Sequence, residues 1–396
     1  MTGIPDTMRA FVSGPRCERK PLGEGRLQGL HFAVTDVFDV AGAPTGYGHP
    51  EWERTHPVPA ATAPVITALL QAGATLDGKT IVQELAYGLT GENLWHGTPL
   101  NVRAPDRFPG GSCGGSAAAV AGGLVDFALG CDAAGSVRIP ASYCGLLGIR
   151  TSLGAASQAG MRGPSPGCDA LGWFARDAGV MAAVGEVLLG GPDGSASPPL
   201  LRVEEAWVNA APETAEALRP ALETLERAFG RAVGLRLAPE GIDSFFDHFR
   251  TVQAEEVWAT LGDWIEASKP ELSPGLAETV AAARAMDPES AAPGRAFRRV
   301  LQARLRPLLA GGGVLVYPTS PCQAPMLGAS LGEQNLVRAA SVGVTAIAGL
   351  AGLPEVTLPI GRVRGAPVGL SLTAGHGQDR RLLAFCKAAM AVLSPG

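Results

Sequence analysis

The chain has 396 residues, 46% of them hydrophobic and 17% charged, with a formal net charge of −5. That balance describes a globular protein with a large core, and Lys and Arg scattered among Asp and Glu without a basic run exclude a nucleic-acid surface. The 7 cysteines are dispersed without a C-x-x-C pair, which points to reduced thiols and leaves no spacing for a zinc site.

In chain order, residues 1–27 read as a polar, irregular arm or short helix without the apolar core of a signal peptide. Leu30–Gly42, LHFAVTDVFDVAG, is β-rich and closes on Gly. A helical period covers residues about 62–73, and a short apolar segment follows at Thr80–Val82. SAAAVAGGLV predicts a tightly packed helix and DFALG a short buried strand. The Pro- and Gly-rich stretch 191–199 separates this region from about 204–310, where Glu, Ala, Arg and Leu recur at helical spacing. GGVLVYPTSP, LPEVTLPIG and PVGLSLTAG then return to strands bounded by Gly and Pro. The pattern is α/β, then a helical insertion, then strands over about 311–396 that rejoin the first sheet. No uncharged apolar run is long enough to cross a membrane, and no repeat of 20–50 residues is visible.

Gly110–Gly145, GGSCGGSAAAVAGGLVDFALGCDAAGSVRIPASYCG, is the informative stretch. Ser112 and Ser136 sit on two glycine-rich turns, with one helix and one strand between them. A helix out and a strand back can bring the turns together. Glycines let backbone N–H groups converge on a ligand without Cβ clashes, and those of Ala133 to Ser136 could form an oxyanion hole. Close packing without chemistry is the competing reading.

The stretch resembles the amidase signature, G-G-S-S-G-G-S followed by G-T-D-T-G-G-S-[IV]-R-x-P-A-x-x-C-G. Ile139, Pro140, Ala141, Cys144, Gly145 and Gly148 continue the likeness. FDVAGAPTGYGHPEW, GKTIVQELAYGLTGENLWHGTP and APDRFPGGS are similar to the branch that includes plant indole-acetamide amidases. The resemblance implies one domain over residues 1–396, with a signature core at about 28–190. It implies a central mixed β-sheet flanked by helices and a Ser–cis-Ser–Lys triad. Ser136 then corresponds to the nucleophile, Ser112 to the bridging serine, and the backbone of Ala133, Ala134, Gly135 and Ser136 to the oxyanion hole. The family lysine of the V-K-D segment falls at Thr35, in Val34-Thr35-Asp36, and a threonine hydroxyl is no general base at neutral pH. Lys79 aligns with a different lysine, that of G-K-T. Cys113, Cys131, Ala133 and Ala134 also depart from the pattern. A Cβ at Ala134 is expected to restrict a backbone that needs positive φ and to narrow the hole.

His31 shares the side of Thr35 by strand parity, which makes it a candidate alternative base, while Asp36 points away. Asp132 is expected to orient the loop through backbone hydrogen bonds, and Arg138 to be structural. Cys113 reads as a small buried residue before it reads as a nucleophile. Tyr47, Trp95 and Trp173 are candidate pocket walls. The expectation is an enzyme acting on an amide, ester or related acyl substrate through a degenerate Ser–Ser site. A triad-independent cyclisation, elimination or acyl transfer in the same cleft, or a non-catalytic binding role, remains open. A small-molecule substrate is expected, with no cofactor, metal, nucleic acid or membrane. The expected location is cytoplasmic, and a homodimer is one arrangement open to the chain.

Overall fold

The computed structural model describes residues 5–190, 197–238 and 241–394. Part of the separator expected at 191–199 lies outside these. Ten strands form one sheet: β1 (His31–Thr35), β2 (Thr75–Thr80), β3 (Phe127–Asp132), β4 (Leu147–Arg150), β5 (Ala170–Ala175), β6 (Leu200–Val203), β7 (Val233–Leu235), β8 (Val314–Pro318), β9 (Glu355–Val363) and β10 (Ala366–Thr373). Their order is β2-β1-β3-β5-β4-β9-β10-β8-β6-β7. The sheet is mixed: β2, β1 and β3 run parallel at one end and β8, β6 and β7 at the other, with antiparallel pairs between.

Side-chain alternation divides the two faces. On β3, Phe127, Leu129 and Cys131 join the core that holds Met181, Leu218 and Leu382. That face carries helices Ala178–Leu188, Pro212–Phe229 and Asp379–Leu393. Ala128 and, on β1, Ala33 turn to the opposite core, which helix Gly114–Ala121 seals. That helix is almost all Gly, Ser and Ala because it lies nearly on the sheet. A Cβ at Gly115 would stand 2.5 Å from the carbonyl oxygens of both Ala10 and Ile81.

The region about 204–310 is not purely helical. It includes β7, which extends the far edge of the sheet, beside helices Asp243–Ser268 and Ala292–Ala310. The N-terminal arm forms no helix among its described residues. It lies along the outer edge of β2, where Arg19 and Leu76 exchange backbone hydrogen bonds of 2.9 and 3.0 Å. No helix of the described residues is long and apolar enough to cross a membrane.

Candidate active site

Both glycine-rich turns open at the same end of the sheet. Ser112 precedes helix Gly114–Ala121, and the Gly111–Ser112 peptide bond is cis. Ser136 lies between β3 and helix Arg138–Cys144. The Cys113 N–H donates to the Ser136 carbonyl at 3.3 Å, which ties the two turns together. Ser112, Ser136, Ala133 and Ala134 face one narrow cleft with Asp169 and Arg338. The free space in it is about 10 Å³, close to the volume that admits one water. Gln83 N–H holds the Ser112 carbonyl at 2.8 Å from the side of β2.

Asp132 at the end of β3 shapes the second turn. Its Oδ1 accepts from Gly135 N–H at 3.0 Å, and its Oδ2 from the N–H groups of Val137 at 2.9 Å and Arg138 at 3.1 Å. The Arg138 guanidinium grips the same carboxylate at 2.7 Å and reaches Glu355 at 2.7 Å on its other side. Burial alone would raise the Asp132 pKa, but the Arg138 charge and these hydrogen bonds hold it well below the usual carboxylate range. The Glu355 carboxylate in turn accepts from the Tyr317 and Ser371 hydroxyls. Arg150 donates to the Asp132 carbonyl.

Two expectations about the oxyanion hole need correction. Gly135 N–H is spent on Asp132, so it is not free for a ligand. The N–H groups of Ala133, Ala134 and Ser136 make no such bond among the described residues. The left-handed backbone falls at Gly135, with φ of 112°, and not at Ala134. Ala134 is therefore unstrained, its carbonyl accepting from Thr345 Oγ1 at 2.6 Å.

Thr35 ends β1 on the face of helix Gly114–Ala121. It is fully buried, and its Oγ1 finds no hydrogen-bond partner of ordinary geometry. The Thr35 and Ser112 hydroxyls lie beside the Cys113 thiol. Burial pushes that thiol up to about 12, more than the Cys131 carbonyl and these two hydroxyls offset. Cys113 is thus a neutral packing residue at physiological pH. Lys79 projects from the other face of the sheet, as its neighbour Thr80 shows by meeting Ser116 Oγ at 2.7 Å. Its ammonium donates to the Pro44 carbonyl at 2.6 Å and Thr45 at 2.9 Å, and pairs with Asp36 at 3.1 Å.

His31 is corrected as a base. It stands at the opposite end of β1 from Thr35, roughly 13 Å away at strand spacing, with its half-exposed ring 3.0 Å from the Asp77 carboxylate. The three candidate wall aromatics are corrected as well. Trp173 is sealed in the core, donating to the Met181 carbonyl at 3.2 Å. Tyr47 packs edge-on against Trp52, and Trp95 against His49. Tyr87 and Tyr143 line the open space instead. Beside Tyr87, Leu85 and Ala86 hold φ of 50° and 54°, a strained pair of a kind that clusters at functional sites.

A second cavity of about 340 Å³ adjoins the cleft and shares Tyr87, Gly88, Leu89 and Arg338 with it. Among the described residues no group of His, Cys, Asp and Glu is arranged to hold a metal ion. Asp169, Glu355 and Tyr143 have roles in the site that no motif or spacing in the sequence marks. The legible sign was chemical: a charged or phenolic group inside an otherwise apolar or signature segment needs a buried partner.

The family model "Amidase" matches residues 16–231 and 247–383. "Amidase 1" of Arabidopsis thaliana is 37% identical over 91% of this chain and 92% of its own length. The chloroplastic "Outer envelope protein 64" of the same plant is 35% identical over 92% of this chain and 66% of its own. A solved structure described as "Crystal structure of amidase" superimposes with a TM-score of 0.81 at 31% identity, over 94% of this chain and 86% of that one. With its ten-stranded mixed sheet and both signature turns at one cleft, the chain belongs to the amidase family.

Proposed function

We propose that the chain is an acyl-transfer hydrolase that attacks an amide, ester or related carbonyl with Ser136 Oγ. The observation that carries this reading is the shared cleft of Ser112, Ser136, Ala133 and Ala134. The N–H groups of Ala133, Ala134 and Ser136 are the donors for the developing oxyanion, and Asp132 holds their turn rigid.

A serine hydroxyl needs a proton acceptor, and the usual lysine position is Thr35. Asp169 is the carboxyl that lines the cleft. Its Oδ2 accepts from Ser165 N–H at 2.5 Å and its Oδ1 from the Cys131 thiol at 3.3 Å. Burial pushes its pKa up to about 7, against the opposing pull of those bonds and of Arg150. A base poised at that value suits proton transfer near neutral pH. In this reading Asp169, on the same cleft as the two serines, takes the Ser136 proton and later returns it to the leaving group. Attack forms the Ser136–acyl bond and breaks the carbonyl–leaving-group bond, and water then releases the acid.

Ser136→Ala is the deciding variant. Covalent catalysis requires that it abolish turnover of a working substrate. A cleft acting only by shape should keep its rate within about tenfold, the worth of one hydrogen bond, and that outcome would favour triad-independent chemistry.

A further inference from the structure

The 340 Å³ cavity beside the serines is walled by apolar side chains, among them Leu89, Ile139, Leu276 and Val337. Its one guanidinium among the described lining residues is Arg338, which also faces the serine cleft. Arg338 therefore stands at the neck between the reacting groups and the larger space. Its Cζ lies 5.6 Å from the Tyr87 ring centre. Its guanidinium lies beside the Tyr87 hydroxyl, and no carboxylate of the described residues forms an ion pair with it.

Ser341 follows Arg338 by three positions on helix Leu331–Ala351, hence on the same face. It lines the cavity too, and its Oγ is buried beside the Tyr143 hydroxyl without a hydrogen bond of ordinary geometry. A buried hydroxyl in that state costs free energy until something bonds to it. Two carboxylates share the wall. Glu84 is already engaged by Ser273 N–H at 3.1 Å and lies 3.5 Å from His49. Glu92 is exposed. The unmatched charge at the neck is positive, and an orphaned hydroxyl stands one turn away.

We propose that Arg338, with Ser341 beside it, receives a carboxylate of the substrate close to the scissile bond, while an apolar body fills the 340 Å³ cavity. The planar guanidinium suits a carboxylate held by two parallel hydrogen bonds. The substrates would be carboxylated amides or esters with an aryl or alkyl group, and neutral analogues would be poor ones. This rests on the cleft being the acyl-transfer site, so the test separates binding from turnover.

The test measures calorimetric affinity in the Ser136→Ala protein, which cannot form an acyl-enzyme. The probes are N-benzoylglycine, with its carboxylate on the amine side, and benzylmalonate monoamide, with its carboxylate on the acyl side. Each is compared with its own methyl ester. The expected result is that at least one anion binds about ten- to hundredfold more tightly than its ester, the range of a charged hydrogen-bonded contact. Arg338→Met should erase that preference and leave the ester unchanged, and Arg338→Lys should restore part of it. Which anion is preferred tells which side of the amide carries the charge. Equal affinity within both pairs, no binding of either anion, or a loss that strikes anion and ester alike overturns the proposal. Failure of hydrolysis in the unaltered protein would count against Ser136 chemistry and leave this result standing.

Discussion

In the reading proposed above, Thr35 stands at the family's base position, and its surroundings define what a longer amine would meet there. The hydroxyl is buried, without a full hydrogen bond, and next to Cys113, whose thiol also adjoins Ser112. A lysine here would be desolvated and its pKa lowered, which is what a neutral amine base requires. Thr35→Lys should therefore raise hydrolysis of simple aryl amides by about 10²-fold or more, the scale of one general base. The gain should vanish in Thr35→Lys/Ser136→Ala. The larger side chain costs about 1–3 kcal/mol of overpacking, so the rate should be read alongside the melting temperature. A folded Thr35→Lys protein without any gain would place the relay elsewhere. Ala134→Gly relieves no strain, because Ala134 is not in the left-handed region, and should add little. Asp169→Asn gives a second check at this scale. If Asp169 accepts the proton, kcat/KM should rise with pH through about 7 in the unaltered protein, and Asp169→Asn should both lose that limb and fall about 10²–10⁴-fold. An unchanged pH profile in Asp169→Asn would remove it from the mechanism.

The turn from β3 into helix Arg138–Cys144 is held by charge more than by apolar contact. Asp132 satisfies three backbone N–H groups and the Arg138 fork, and Glu355 brings β9 to the same guanidinium. Breaking such a buried pair strands a cation, at a cost of about 3–5 kcal/mol. Asp132→Asn should lower stability by that order in urea unfolding, with the same loss of activity as a displaced Ser136. Asp177→Ala is the contrast. It removes an exposed helix cap that accepts from Gly179 and Val180 N–H at 2.9 Å each, and should cost about 1 kcal/mol with activity intact. A similar cost for both would mean that the Asp132 network is no more than a cap. The difference between these elements also explains what could be read from the sequence. The Ser112 and Ser136 turns were legible because their glycine spacing has a backbone meaning. Strand β3 was legible as a short apolar run. Strands β4 and β5 are buried on both faces as β3 is and show no alternation, but they lack its place directly after the glycine-rich helix, so nothing marks them in the sequence. Tyr87, Tyr143, Asp169 and Arg338 enter the two cavities only through tertiary packing, which leaves no periodic trace. His31 failed for the opposite reason: strand parity fixes the side a residue faces, but not its position along the strand.

At the scale of the whole molecule, buried ionisable groups tie stability to pH through the difference between folded and unfolded proton binding. Asp132, held below the usual range, contributes stability that is present above the unfolded carboxylate pKa of about 3.9 and is lost as the solution becomes more acidic. Asp169 acts in the other direction. Its folded pKa of about 7 means that the folded chain holds this proton more tightly than the unfolded chain does. Its contribution is then most favourable below about pH 4 and declines as pH rises to about 7, where it levels off. Asp36 adds a decline of the same sign, since burial raises it to about 6 against the pull of Lys79. Their joint contribution to stability should therefore fall from about pH 4.5 toward neutrality. Asp169→Asn removes one of these titrations. Its stability curve should be flatter than that of the unaltered protein by on the order of 1 kcal/mol per pH unit between about 4 and 7, and the two should run parallel above that window. Urea unfolding at half-unit pH intervals measures the difference directly. Curves that stay parallel from about pH 4 to 7 would show that Asp169 keeps an ordinary pKa in the folded protein, and with it would go the case for Asp169 as the base beside Ser136.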